Sequence, residues 1–107
     1  MAEFLDVWVN CPDRATAEAI AADCIGKRLA ACANIFAPIA SLYHWKGKVE
    51  NDEEVPLVLK TRGELFDAVC AAVKTRHPFE VPSIIATELV AVDEAYADWL
   101  RAETQPH

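Results

Sequence analysis

Cys11 and His77 are the first residues whose types and placement point to chemistry. Cys11 stands at the carboxyl end of a first expected strand and just before a helix N-terminus, a position that lowers a thiol pKa and favours the thiolate. His77 closes a second expected helix, directly before Pro78. A thiolate and an imidazole brought together would suit a soft or borderline metal such as copper or zinc. The plainer alternative is a tucked-in turn cysteine and a histidine that satisfies helix carbonyls at a C-terminus. A second group gathers Tyr43, His44, Trp45, Lys46 and Lys60 with the acids Glu50, Asp52, Glu53 and Glu54. Aromatics near a hairpin tip, acids on the returning arm and a lysine at its end can line a small-molecule or anion cleft. They can equally form an oligomer interface, where Tyr and Trp are enriched. A cleft between subunits would satisfy both readings.

The elements that must position these residues are legible in part. Phe4 to Val9 is apolar except for Asp6, as in a strand central to a sheet. Asp13 can cap a helix running to about Ala31, with Ala17, Ile20, Ala21, Cys24 and Ile25 at helical spacing. Residues 32–61 read as one long hairpin. Its first arm alternates through Ala33, Ile35, Ala37, Ile39, Ser41, Tyr43 and Trp45, and its turn is Trp45-Lys46-Gly47-Lys48, where Gly47 supplies a positive φ. Pro56 conflicts with a central place for the return arm, because proline lacks the ladder donor. Either a bulge or the end of a neighbouring strand is expected there. Thr61 and Glu64 read as a capping box for a helix whose buried face is Phe66, Val69, Cys70 and Val73. A stiff connector, Pro78 to Pro82, leads to a last strand over 84–92. Asp93 then caps a short helix carrying Tyr96, Trp99 and Leu100, and 103–107 is expected to fray. This order predicts an α+β, ferredoxin-like βαββαβ sandwich with a long central hairpin and a short C-terminal helix, both long helices on one face of a four-stranded sheet. Arms about twice the usual strand length leave an edge that invites another chain.

The totals set bounds. A chain of 107 residues fits one domain, here 1–107. A net charge of −7 argues against binding nucleic acid. No stretch approaches the length of a membrane span. Met1 to Asp6 carry no basic or long apolar run, so a cytoplasmic protein without a signal peptide is expected. Cys24 and Cys70 fit apolar helix faces, and no Cys-x-x-Cys pair is present. Three glycines cannot build a phosphate loop, and neither a His-Glu-x-x-His nor a nucleophile elbow occurs, so no enzymatic activity is expected.

Five segments together resemble the CutA family of divalent-cation-tolerance proteins: Arg28 to Ile35, Ser41 to Lys48, Glu53-Glu54, Leu59-Lys60-Thr61 and His77 to Pro82. The resemblance runs from about Val7 to Trp99. It implies a PII-like homotrimer in which long hairpins extend sheets between subunits, and a link to copper or other divalent cations. Cys11 matches the family's cysteine ligand and His77 the histidine beside proline. Arg76 stands where the family has a second histidine, and a guanidinium cannot replace a neutral imidazole as ligand. Phe79 replaces the usual tyrosine, and Ser83 a frequent glutamate. Tyr43, Trp45, Glu53, Lys60 and His77, with Phe79 and Glu80, match an inter-subunit cleft of the family. Lys60 would be the partner of a small anionic ligand, and Tyr43 and Trp45 its packing wall. The implied function is metal binding in cation homeostasis. The alternative is a PII-like small-molecule sensor with incidental metal contact.

Overall fold

The apolar run at the start of the chain becomes β1 (Phe4–Cys11), antiparallel to its neighbours on both sides. The computed structural model describes residues 2–105. Along β1, Leu5, Val7, Val9 and Cys11 are buried, and Asp6, Trp8 and Asn10 between them are only half covered. The strand is therefore central, with one face dry and the other partly open, since successive side chains point to opposite faces.

Helix α1 (Arg14–Gly26) starts where Asp13 accepts a hydrogen bond from the Thr16 backbone N–H at 2.8 Å. It stops one turn earlier than the sequence pattern predicts. Arg28 adopts φ 58°, the Leu29 N–H returns to the Cys24 carbonyl and the Arg28 N–H to that of Ile25. Those two bonds form a Schellman motif with arginine in the left-handed position that glycine usually takes.

The long hairpin is broken in its first arm. β2 (Cys32–Ile35) and β3 (Ile39–Trp45) are separated by Phe36-Ala37-Pro38, and both pair with the single 15-residue strand β4 (Lys48–Arg62). The sheet thus has five strands rather than four among the described residues, in the order β2-β4-β1-β5 with β3 on the outer half of β4. The break also accommodates Pro56. Its carbonyl accepts from Phe36 N–H at 2.9 Å. In an antiparallel ladder a residue's N–H and C=O face the same neighbour. The missing donor of Pro56 therefore faces the gap just past the last β2 pair, Ile35 with Leu57. Lys46 and Gly47, at φ 50° and 80°, form the two-residue turn. Two positive φ values give the twist that matches a tight hairpin.

Thr61 does not open a capping box. It is the penultimate residue of β4, and its hydroxyl donates to the Leu29 carbonyl at 2.5 Å, fully buried. A 3-10 turn over Gly63–Leu65 leads instead into α2 (Phe66–Arg76). The edge strand β5 (Ile84–Glu88) ends four residues before the predicted limit. Both α1 and α2 pack on the dry face, where Ile20, Cys24, Val69 and Val73 meet Val7, Val9, Leu57 and Leu59. Helix α3 (Glu94–Glu103), capped by Asp93, closes one end of the open face over Phe4 with Ala97 and Leu100. The described part of the tail does not fray. The Gln105 N–H reaches the Arg28 carbonyl at 2.7 Å and Thr104 is 3% exposed. Pro106 and His107 lie outside the described residues. The result is an α+β, ferredoxin-like sandwich with a projecting β3–β4 ribbon.

Candidate functional site

Two of the candidate residues lie at the carboxyl end of β1. His77 ends α2, and its N–H bonds to the Val73 carbonyl at 2.9 Å. Its ring turns inward and the residue is 6% exposed. Nε2 lies 2.7 Å from the Asn10 carbonyl, and the backbone N–H of Phe79 points at Nδ1 from 3.2 Å. A carbonyl only accepts, so Nε2 carries the proton and Nδ1 supplies the lone pair. The Phe79 ring stands edge-on to the imidazole at 4.8 Å.

Cys11 follows Asn10, and its side chain is fully buried on the helix side of the sheet. Burial pushes its thiol up to about 11, and the nearby carboxylates of Asp13 and Glu54 add to the shift. The thiolate expected from the helix N-terminus is therefore absent, because desolvation and two negative neighbours outweigh the dipole. A shift from 9.0 to about 11 makes the thiolate about 100-fold scarcer below pH 9. Alkylation of the folded chain at pH 8, followed by peptide mass spectrometry, should find Cys11 reacting about 100-fold more slowly than a free cysteine. Labelling within about tenfold of the free rate would show an accessible, activated thiol instead.

The donor set does not fit a preformed metal centre within the chain. A metal needs a deprotonated thiol and a free imidazole lone pair. Cys11 is held protonated and both ring nitrogens of His77 are engaged. Among the described residues no three His, Cys, Asp or Glu side chains converge. Arg76, beside His77, turns toward α1 and pairs with Asp23 at 3.4 Å. Asp23 also takes the Lys27 ammonium at 3.1 Å, and these cations hold its carboxyl below the usual range, Lys27 first.

The second group is divided along β4. Tyr43 lies opposite Glu50 on the ribbon and donates its hydroxyl to Asp52 at 2.5 Å. That bond to an anion raises the Tyr43 phenol to about 12. Trp45 sits at the tip with the Lys46 ammonium 5.6 Å from its ring. Lys46 also approaches Glu80 at 3.9 Å, which ties the tip to the connector through an exposed pair of small energetic weight. Glu53 lies opposite Ala40 on the other ribbon face, exposed. Lys60 is elsewhere. It pairs across the sheet with both Asp6 and Cys32, and its ammonium bonds Asp6 at 3.3 Å. Ten residues of strand, about 33 Å, separate it from the level of Tyr43. One chain therefore brings Tyr43, Trp45 and Glu80 to the ribbon and leaves Lys60 on the open face beneath α3.

Asn10, Asp6 and Asp23 were not legible as partners. The Asn10 contact is made by a backbone carbonyl, which leaves no side-chain signal. Asp6 alone had one, as the single charge in an apolar run, and Lys60 is what it answers to.

An α+β sandwich with a projecting ribbon and a cysteine and histidine at one strand end defines a narrow class. The chain belongs to the CutA1 divalent ion tolerance family, whose model matches residues 5–103. Human Protein CutA is 40% identical over 92% of this chain, which spans 55% of that protein. The divalent-cation tolerance protein CutA of Citrobacter koseri is 36% identical over 94% of this chain and 87% of its own length. This chain thus spans about half the length of its mammalian relatives and most of its bacterial ones. The crystal structure of CutA1 from Oryza sativa superposes with a TM-score of 0.94 at 36% identity, over 99% of this chain and 97% of that one.

Proposed function

We propose that the protein serves divalent-cation tolerance as a cytoplasmic, non-catalytic homotrimer, a PII-like sensing scaffold whose cleft forms between subunits. The outer half of β4 carries this reading. Residues 48–54 pair with β3 alone, because β1 ends opposite Val55. The ribbon they form exposes Leu42 by 68% and Val49 by 66%. An apolar ribbon with open edges calls for another chain. In the assembly, Lys60 of one copy would meet Tyr43, Trp45, Phe79 and Glu80 of another and supply the charge for a small anionic ligand. The four free cysteines fit a reducing compartment.

A second reading is a copper or other divalent ion held by Cys11 and His77. The ring of His77 does reach the residue before Cys11, and Glu54 lies close enough to the thiol to act on it. Those donors would first have to give up a proton and a hydrogen bond. Light scattering together with a chelator-competed titration of Cu(I), Cu(II) and Zn(II) separates the two. A mass of about 35 kDa, three chains of 11.8 kDa, is expected, with weak metal binding that Cys11→Ser leaves unchanged. A monomer mass would sink the scaffold. Saturable binding of one ion per chain, lost in Cys11→Ser, would establish the second reading.

A further inference from the structure

We infer that His77 is the positioning residue that fixes the connector to the end of β1, and that it is not a ligand of a resident metal ion. The inference stands whether or not the chain trimerises. Residues 77–83 join α2 to β5 without regular structure, and Pro78, Phe79, Glu80 and Val81 are all exposed. His77 is the buried member of this stretch. Its ring makes one hydrogen bond outward to Asn10, 67 residues away in sequence, and one inward from Phe79, two residues on. The imidazole therefore clips the connector to the central strand and orients Phe79, whose ring it also touches.

The same bonds oppose metal ligation. Coordination through Nδ1 would displace the Phe79 N–H. Coordination through Nε2 would require the other tautomer, which sets an Nδ1–H against the Phe79 N–H and a lone pair against the Asn10 carbonyl. Either route takes the partner from a part-buried backbone group, which costs free energy to the extent that water does not replace it. A resident site usually has the reverse arrangement, one nitrogen on the metal and the other N–H held by a carbonyl or carboxylate. Here the second nitrogen is taken by the chain's own amide.

Long-range 1H–15N spectra of the full chain, with His77 assigned by its loss in His77→Ala, should show the Nε2–H tautomer. One equivalent of Zn(II) should leave that pattern unchanged. Hydrogen exchange at the Phe79 amide should accelerate at least about tenfold in His77→Ala. His77→Asn should restore most of the protection, because its side-chain oxygen can accept from the amide two residues on. Affinity for Zn(II) and Cu(II) should stay within about threefold in both variants, against the 10–100-fold loss that even outer partners of a metal site cause. A larger loss of affinity, or a His77 pattern that changes with the first equivalent of Zn(II), would overturn the inference. If His77→Ala does not fold, loss of the signal in His77→Asn makes the assignment, and the wild-type spectrum still decides the matter.

Discussion

Aspartate at both Leu42 and Val49 is expected to turn the proposed trimer into a folded monomer. Leu42 lies opposite Asn51 and Val49 opposite His44, so the two apolar side chains are diagonal neighbours on one face of the ribbon. They are 68% and 66% exposed, and neither belongs to a core cluster. In the proposed trimer another chain would bury them, at about 1.5–3 kcal/mol for each side chain. Two carboxylates in the same contact would add an unpaired-charge penalty on a face that already carries Glu53. A loss of about 4 kcal/mol weakens association about 1000-fold. Light scattering at micromolar concentration should then read one chain, while far-UV circular dichroism stays that of the parent. Retention of the parental mass would show that the ribbon is not the contact and that its apolar face has some other use.

The ribbon also shows which features a sequence reveals. Its turn was legible because two-residue hairpins place severe demands on backbone sign, and glycine at position 47 answers them. The caps at Asp13 and Asp93 were legible for the same reason, each being a local bond to the amide three residues on. The break at Phe36-Ala37-Pro38 was not, since Ala37 and Ile39 keep the alternation through it. The end of α1 was hidden by Arg28, a residue type with no preference for the left-handed region it occupies. Thr61 and Glu64 have the spacing of a cap, yet tertiary structure claims the hydroxyl for Leu29. At the site, residue types were readable and their electrostatics were not. A helix N-terminus beside Cys11 is a local fact, whereas its burial among α1, β1 and β4 is a property of the whole sheet. The partner of His77 likewise comes from a distant strand end. One hairpin carries both Lys60 and Tyr43, yet a strand converts sequence distance into length more fully than any other element, so the two lie far apart within one chain.

Leu59→Ala should be among the most damaging substitutions this fold admits, at about 3–5 kcal/mol. Leu59 is fully buried and sits mid-sheet on β4, opposite Val7 of β1 on one side and Ala33 of β2 on the other. Both flanking strands are held by their own ladders, so the walls of the resulting cavity cannot collapse inward without breaking backbone pairing. That rigidity places the expected cost at the upper end of the usual range. Against a total stability of about 5–15 kcal/mol, the loss would bring the folded state close to its limit. Ala33 offers no bulk to fill the space, whereas a longer residue there could recover part of the loss, and the double variant Ala33→Val/Leu59→Ala tests that coupling directly. Urea unfolding at one fixed protein concentration is the right measurement, because association would otherwise shift the midpoint. The midpoint should fall with an unchanged slope, while Lys48→Ala, exposed at the ribbon tip, should leave intrinsic chain stability within about 0.5 kcal/mol when measured against the Leu42→Asp/Val49→Asp variant. A cost below about 1.5 kcal/mol for Leu59→Ala would mean that the sheet can close over a missing leucine, and that subunit contacts rather than the helix-covered face hold the chain together.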